Sequence, residues 1–320
     1  MTKYPQYYLL SSLISSLYEK VDILLIGDSN ELRAQHIPKL FSRKFNGQTF
    51  KIHYDLEDKK YEILKINPKR DDLLAGKVAP QKDLLLEFVN DLHSIGLNGK
   101  SILVDTTSIK HPLIFYLLKI FKEKFQIGNL FFAYSEPERY LEDTSVKSRK
   151  FELTDRFIGA GTMPGFVRTN NDSKDKLLVV ALGFEGNRFK KAFEEVEPSE
   201  RKTFAIVGFP SFRPNWQFYV YDQNQSALER SKAFHNIYRA TANSPFDIYN
   251  ILTKIKRLNS NSNLIIAPLG TKPHSIGIGM FATDNHEVQI YYDFPSFGKK
   301  IRTIGTGDSY IYNLTSFLNE

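Results

Sequence analysis

Short apolar runs recur along the chain, each closed by glycine or a polar residue and followed by apolar residues at helical spacing. That alternation predicts βα units folded around mainly parallel sheets. The strands are expected at Val21 to Ile26, Ser101 to Val104, Asn129 to Ala133, Lys176 to Leu182, Thr203 to Val207, Asn263 to Ile266 and Val288 to Tyr291. Helical patterns follow at Glu31 to Phe41, Lys110 to Phe125, Asn187 to Val196 and Lys272 to Ala282, whereas Phe50 to Asn67 reads as a hairpin. At the start, Leu9, Leu13 and Leu17 fall on one face of an amphipathic helix that should pack on the first sheet. The polar stretch Asn170 to Asp175 is turn-rich and marks a boundary between residues 1–168 and 175–320.

Across that boundary four landmarks recur in the same order. Ile23-Leu24-Leu25-Ile26-Gly27 leads to Asp28, Ser29 and Arg33, as Val179-Val180-Ala181-Leu182-Gly183 leads to Glu185 and Arg188. Val104-Asp105-Thr106-Thr107-Ser108-Ile109-Lys110-His111 faces Ile266-Ala267-Pro268-Leu269-Gly270-Thr271-Lys272-Pro273-His274. Tyr134-Ser135-Glu136-Pro137 faces Tyr292-Asp293-Phe294-Pro295, and Arg156-Phe157-Ile158-Gly159 faces Arg302-Thr303-Ile304-Gly305. The intervals between matched positions stay between 146 and 162 residues. Such spacing predicts an internal duplication, an α/β chain of two tandem Rossmann-like halves.

In an open parallel sheet, ligands gather beyond the carboxyl ends of the strands, where loops open helices with free amides and a positive dipole end. The candidate binding residues lie in such loops: Gly27, Asp28, Ser29 and Arg33, then Asp105, Thr107 and Lys110, in the first half, with Gly183, Glu185 and Arg188, then Gly270, Thr271 and Lys272, in the second. A hydroxyl, an ammonium group and amides at one helix start suit a phosphate. Arg33 and Arg188 either clamp phosphate or pair with carboxylates. His111 and His274 lie beside the repeated lysines as possible acid–base or structural groups. No catalytic residue is assigned. The aromatic segment Phe209 to Trp216 either covers a base by stacking or packs within the fold. Neither glycine loop is Gly-x-Gly-x-x-Gly, so no redox dinucleotide or other cofactor is expected.

The order apolar strand, Asp, any residue, Thr, then Lys, carried by Asp105, Thr107 and Lys110, resembles the signature of CRISPR-associated Rossmann-fold (CARF) domains. Gly270, Thr271 and Lys272 are similar to its Gly-Thr-Lys form, with Ala267 and Leu269 standing where the acidic and hydroxyl residues would be. The resemblance implies CARF-like halves that bind a cyclic oligonucleotide messenger in a pocket between two copies, both carried by one chain as in the related SAVED domains. It further implies a role in antiviral defence with an effector protein in trans.

Composition narrows the picture. The 320 residues contain no cysteine, which excludes thiolate metal sites and a cysteine nucleophile, and the seven histidines show no metal-ligand spacing. Leu, Ile, Val and Phe are plentiful and no run approaches a membrane span, so a folded cytoplasmic protein is expected. A net charge of +7 favours anionic partners, but the basic residues are scattered, which argues against a dedicated nucleic-acid surface. Three functions fit: a nucleotide sensor, a phosphodiesterase or transferase acting on a nucleotide in the same cleft, and an interaction subunit without a ligand.

Overall fold

In the computed structural model the described residues are 8–42, 44–55, 58–66, 72–79, 81–141, 156–157, 159–167, 175–296 and 303–319. They form two compact units, one of residues 8–140 with 303–319 and the other within residues 141–296. The first unit contains strands β1 (Tyr8–Leu9), β2 (Ile23–Ile26), β3 (Gln48–Asp55), β4 (Lys60–Ile66), β5 (Asp72–Val78), β6 (Ser101–Asp105), β7 (Asn129–Ser135) and β8 (Arg139–Tyr140). The second contains β9 (Arg156–Phe157), β10 (Gly161–Thr162), β11 (Lys176–Ala181), β12 (Thr203–Gly208), β13 (Ile237–Ala240), β14 (Asn263–Pro268), β15 (Gln289–Tyr292) and β16 (Pro295–Ser296). The chain then returns to the first unit with β17 (Thr303–Ile304) and β18 (Ser309–Asn313).

The division is therefore not into the consecutive blocks 1–168 and 175–320. Strand β18 pairs antiparallel with both β7 and β1, and β17 pairs with β8, so the last residues complete the first sheet. In the same way β10, which precedes the expected boundary, closes the edge of the second sheet against β15. The proposed boundary at 170–174 lies outside the described residues, as do Ile158 and Arg302 of the fourth landmark.

The first sheet runs β1-β18-β7-β6-β2-β3-β4-β5, with β7, β6, β2 and β3 mutually parallel. The second runs β10-β15-β14-β11-β12-β13 and is parallel from β15 to β13. Both are mixed α/β sheets with a Rossmann-like parallel core. In each the first parallel strand is central, with β3 on one side and β6 and β7 on the other in the first sheet, and β12 and β13 on one side and β14 and β15 on the other in the second. A topological switch point thus lies between β2 and β6 and again between β11 and β14.

Helices cover both faces of the first sheet. On one, α1 (Leu10–Lys20) and α2 (His36–Phe41) bury Leu10, Leu17, Ile37 and Phe41 against Leu24, Leu103 and Phe131. On the other, Phe88 of α3 (Gln81–Ile95) and Tyr116 of α4 (His111–Lys124) pack around Tyr54, at ring separations of 5.0 and 5.6 Å. Each such fully buried side chain contributes about 1.5–3 kcal/mol. The expected contact through Leu9 is corrected: it is exposed, because it pairs with Tyr310 in β1 before the helix begins, and Leu10 takes its place in the core.

In the second unit α5 (Gly186–Val196) and α6 (Trp216–Arg230) bury Phe189, Val196 and Leu228 against Leu178, Val180 and Ala205. Helices α7 (Pro245–Leu258) and α8 (Lys272–Asp284) pack on each other, with Tyr249 edge-on to Phe281. Ser244 caps α7 by accepting from the Asp247 amide, and Pro245 occupies its first turn. Among the described residues no helix is long and apolar enough to cross a membrane.

The α7 to α8 contact depends on Gly277, where a Cβ would lie 2.1 Å from the Pro245 carbonyl oxygen, a backbone atom that cannot swing aside. Gly277→Ala should destabilise the protein by about 1–3 kcal/mol despite the better helix propensity of alanine. Chemical denaturation compared with wild type measures this.

Candidate functional site

The predicted loops meet at the two switch points. In the first unit the chain leaves β2 at Gly27, and a Cβ there would lie 2.7 Å from the Ser108 carbonyl carbon and 2.8 Å from the Ile109 amide nitrogen. Only glycine lets the β2 loop press against the β6 loop. In the second unit a Cβ on Gly183 would lie 2.1 Å from the Leu269 carbonyl oxygen, and one on Gly270 would lie 3.1 Å from that of Leu182. Gly27 is thus brought beside Asp105 to Lys110, and Gly183 beside Gly270 to Lys272.

Within the first crevice the signature residues divide by direction. Asp105 is fully buried and accepts from the Thr107 amide at 3.0 Å, folding its own turn. The Thr107 hydroxyl accepts from the Ser135 amide at 2.9 Å and so fastens the β6 loop to the end of β7. Ser29 accepts from the Glu31 amide at 3.1 Å. Facing outward are Asp28, 3.6 Å from the Lys51 ammonium group, and Lys110, whose ammonium group pairs with Asp55 at the start of α4. The Ser108 hydroxyl oxygen is buried next to Gly27 and has no hydrogen-bond partner among the described residues.

In the second crevice the Thr271 hydroxyl accepts from the His274 amide at 3.2 Å and donates to the Ala242 carbonyl at 2.7 Å, capping α8 and tying it to the loop after β13. Lys272 follows as the first residue of α8 and is half-buried. Asn224 of α6 donates to the Gly183 carbonyl at 2.8 Å, which holds the β11 loop from the other side. The aromatic segment packs within its own unit here: Trp216 lies edge-on to Phe184, with centroids 5.9 Å apart, and Arg239 sits 5.4 Å from the Phe209 ring centroid.

The two arginines are fastened to protein. Arg188 of α5 makes a two-pronged pair with Asp293 at the end of β15, at 2.7 and 2.6 Å, and reaches Glu185 at 3.4 Å. Burial alone would lower the basicity of Arg188, but the hydrogen bonds and charge of Asp293 outweigh it and leave the guanidinium firmly charged. Arg33 donates to Glu31 at 2.8 Å and to the Tyr134 hydroxyl and Ser135 carbonyl, both at 3.2 Å. Each guanidinium carbon lies 5.8 Å from a tyrosine ring centroid, Arg33 over Tyr134 and Arg188 over Tyr292. Of the two roles open to these arginines, carboxylate pairing is the one the geometry displays.

No family model and no curated protein matches this chain. The reading of the site therefore rests on its own geometry. Elsewhere, an open cavity lined by Tyr18, Glu19, Asp22, Lys44 and Gly47 lies at the amino ends of β2 and β3, away from the helix starts that would bind an anion. Sequence reasoning missed Lys51, His53 and Asp55 on β3, because their place beside the crevice depends on how far β3 runs past β2.

Two outcomes follow from these contacts. Asp293→Ala would leave the Arg188 charge buried without its main partner and should cost about 3–5 kcal/mol, whereas the pair Arg188→Met with Asp293→Leu should recover most of it. A double-mutant cycle by denaturant titration checks this. His274 is fully buried, and loss of solvent lowers its pKa from 6.5 to about 4, so it is neutral and its Nε2–H donates to the Thr241 carbonyl at 3.0 Å. The unfolded chain then binds the extra proton first, so stability should fall by about 3 kcal/mol as pH drops from 6.5 to 4. His274→Gln should remove that share of the pH dependence of unfolding.

Proposed function

We propose that this chain is a nucleotide-binding sensor that takes a phosphate-bearing ligand, of the cyclic oligonucleotide class to which its CARF-like motifs point, at its switch-point crevices. Its place in this reading is prokaryotic defence, with the bound state acting on an effector protein in trans. One observation carries the proposal. In each unit the repeated glycine loop and the repeated lysine loop, far apart in sequence, lie against each other at the switch point, beside the start of a helix of thirteen or more residues. Amides and a helix dipole at such a place favour an anion, and the buried Ser108 hydroxyl adds a donor beside Gly27.

The same likeness supports descent of the units from one ancestral half. The central first strand, the glycine contact across the switch point and the arginine over a tyrosine at the end of the next-but-one strand recur together. The net charge of +7 adds long-range attraction for an anionic ligand.

Calorimetric titration of cyclic di-, tri- and tetranucleotides into wild type, Lys110→Ala and Lys272→Ala tests the reading. Each substitution should weaken binding by about 10- to 150-fold, the worth of one charged hydrogen bond of about 1.5–3 kcal/mol. The two losses should differ, because Asp105 and Thr107 have no counterparts at Ala267 and Leu269. Ligand recovered intact after incubation fits a sensor, and ligand consumed would move the assignment to an enzyme acting in the same crevice. Wild-type binding left intact by both substitutions, or no binding at all, would overturn the proposal.

A further inference from the structure

The ion pair between Lys110 and Asp55 spans the first crevice. Strands there run β6-β2-β3, with Lys110 closing the β6 loop, Asp55 ending β3 and β2 lying between them. Strand β2 stops at Ile26, which faces Lys51, so β3 runs on past it from Ile52 to Asp55, paired there with β4 alone, and its β2-facing edge overhangs the switch point. Alternation along a strand puts Lys51, His53 and Asp55 on one side of it. There Lys51 meets Asp28 at 3.6 Å, Asp55 meets Lys110, and the His53 Nε2 lies 3.8 Å from the Asp55 carboxylate. The Asp55 side chain is only 11% exposed, while that of Lys110 is 50% exposed and can turn a second donor toward a ligand.

Charge decides what such a crevice can hold. Two lysines are balanced by two aspartates, so a bare phosphate that reached Lys110 would lie close to the negative Asp55 and be repelled by it. A ligand with a hydroxyl next to its phosphate escapes this conflict: the phosphate accepts from Lys110 and the hydroxyl donates to Asp55. Ribose phosphate has that arrangement. A carboxylate at the end of the strand beside the first one is also where Rossmann-type sheets hold ribose hydroxyls. The second unit has no equivalent, since β12 ends at Gly208 and is followed by Phe209 with Arg239 over its ring.

Resting on the nucleotide-binding reading above, we propose that Asp55 is the specificity-determining residue of the first crevice. Its carboxylate accepts a hydrogen bond from a ribose 2′-hydroxyl, with Lys110 bridging Asp55 and the neighbouring phosphate, so that ribonucleotides are selected over deoxyribonucleotides and over inorganic phosphate.

The test titrates the full chain with cyclic di-, tri- and tetraadenylate, with their 2′-deoxy counterparts, and with inorganic phosphate, in wild type, Asp55→Asn and Asp55→Ala. Wild type should prefer the ribo form of whichever ring binds by about tenfold or more. In Asp55→Ala that preference should collapse while inorganic phosphate binds more tightly, and Asp55→Asn, which keeps an acceptor without the charge, should fall between. Equal wild-type affinity for ribo and deoxy rings overturns the proposal without recourse to any variant. So does a preference that survives in Asp55→Ala shown by circular dichroism to be folded. If neither series nor phosphate binds, the nucleotide-binding reading fails and this proposal fails with it; if deoxy rings bind as well as ribo rings, only this proposal does.

Discussion

Two chain segments share a gap at each switch point that has room for backbone alone. At Gly183 one added carbon would lie 2.1 Å from the Leu269 oxygen, far inside van der Waals contact, and at Gly27 it would lie 2.7 to 2.8 Å from Ser108 and Ile109. Everything polar around the crevices is placed by that approach. The loop after β6 can fold on Asp105 and Thr107 and lead through Lys110 into α4 only because the β2 loop yields the space, and Thr271 leads into α8 for the same reason.

An arginine anchors the segment that follows the glycine loop in each unit. Arg33, in the 3-10 turn Leu32–Gln35 before α2, and Arg188, in α5, each run to the end of β7 or β15 and lie over a tyrosine there. The anchors are not identical. Asp293 answers Arg188 with a full carboxylate, whereas Ser135 answers Arg33 with a carbonyl and leaves the charge to Glu31. A buried guanidinium with a two-pronged partner resists displacement, so the second unit's anchor is the stiffer of the two.

Most of the parallel core was legible because its strands other than β13 are local apolar runs ended by glycine or a turn, whereas Ile237–Ala240 carries a polar, half-exposed pattern and helices α6 and α7 were not read. The hairpin of β3 and β4 was equally clear, as was the placing of the glycine and lysine loops at the carboxyl ends of strands. What could not be read depends on pairing between distant residues. Strand β18 faces β7 across more than 170 positions, and Leu9 leaves the first helix only because Tyr310 offers it a partner. Asp55 escaped notice for a related reason: nothing local to Gln48–Asp55 says that β2 will stop opposite Lys51. Arg33 and Arg188 were found by repetition, but their pairing with protein groups required the ends of β7 and β15 to be in place.

The return of the chain to its first sheet also sets an order for synthesis. Residues 8–140 leave the ribosome long before Ser309–Asn313, and until those arrive β7 has an open edge where its antiparallel neighbour belongs. An unpaired strand edge invites association with other chains. The second sheet needs no later residue than β15, so it can close while the first still waits. The unit encoded first is therefore the one completed last, and an elongating chain that stalls before residue 309 carries a finished second sheet beside an unfinished first one.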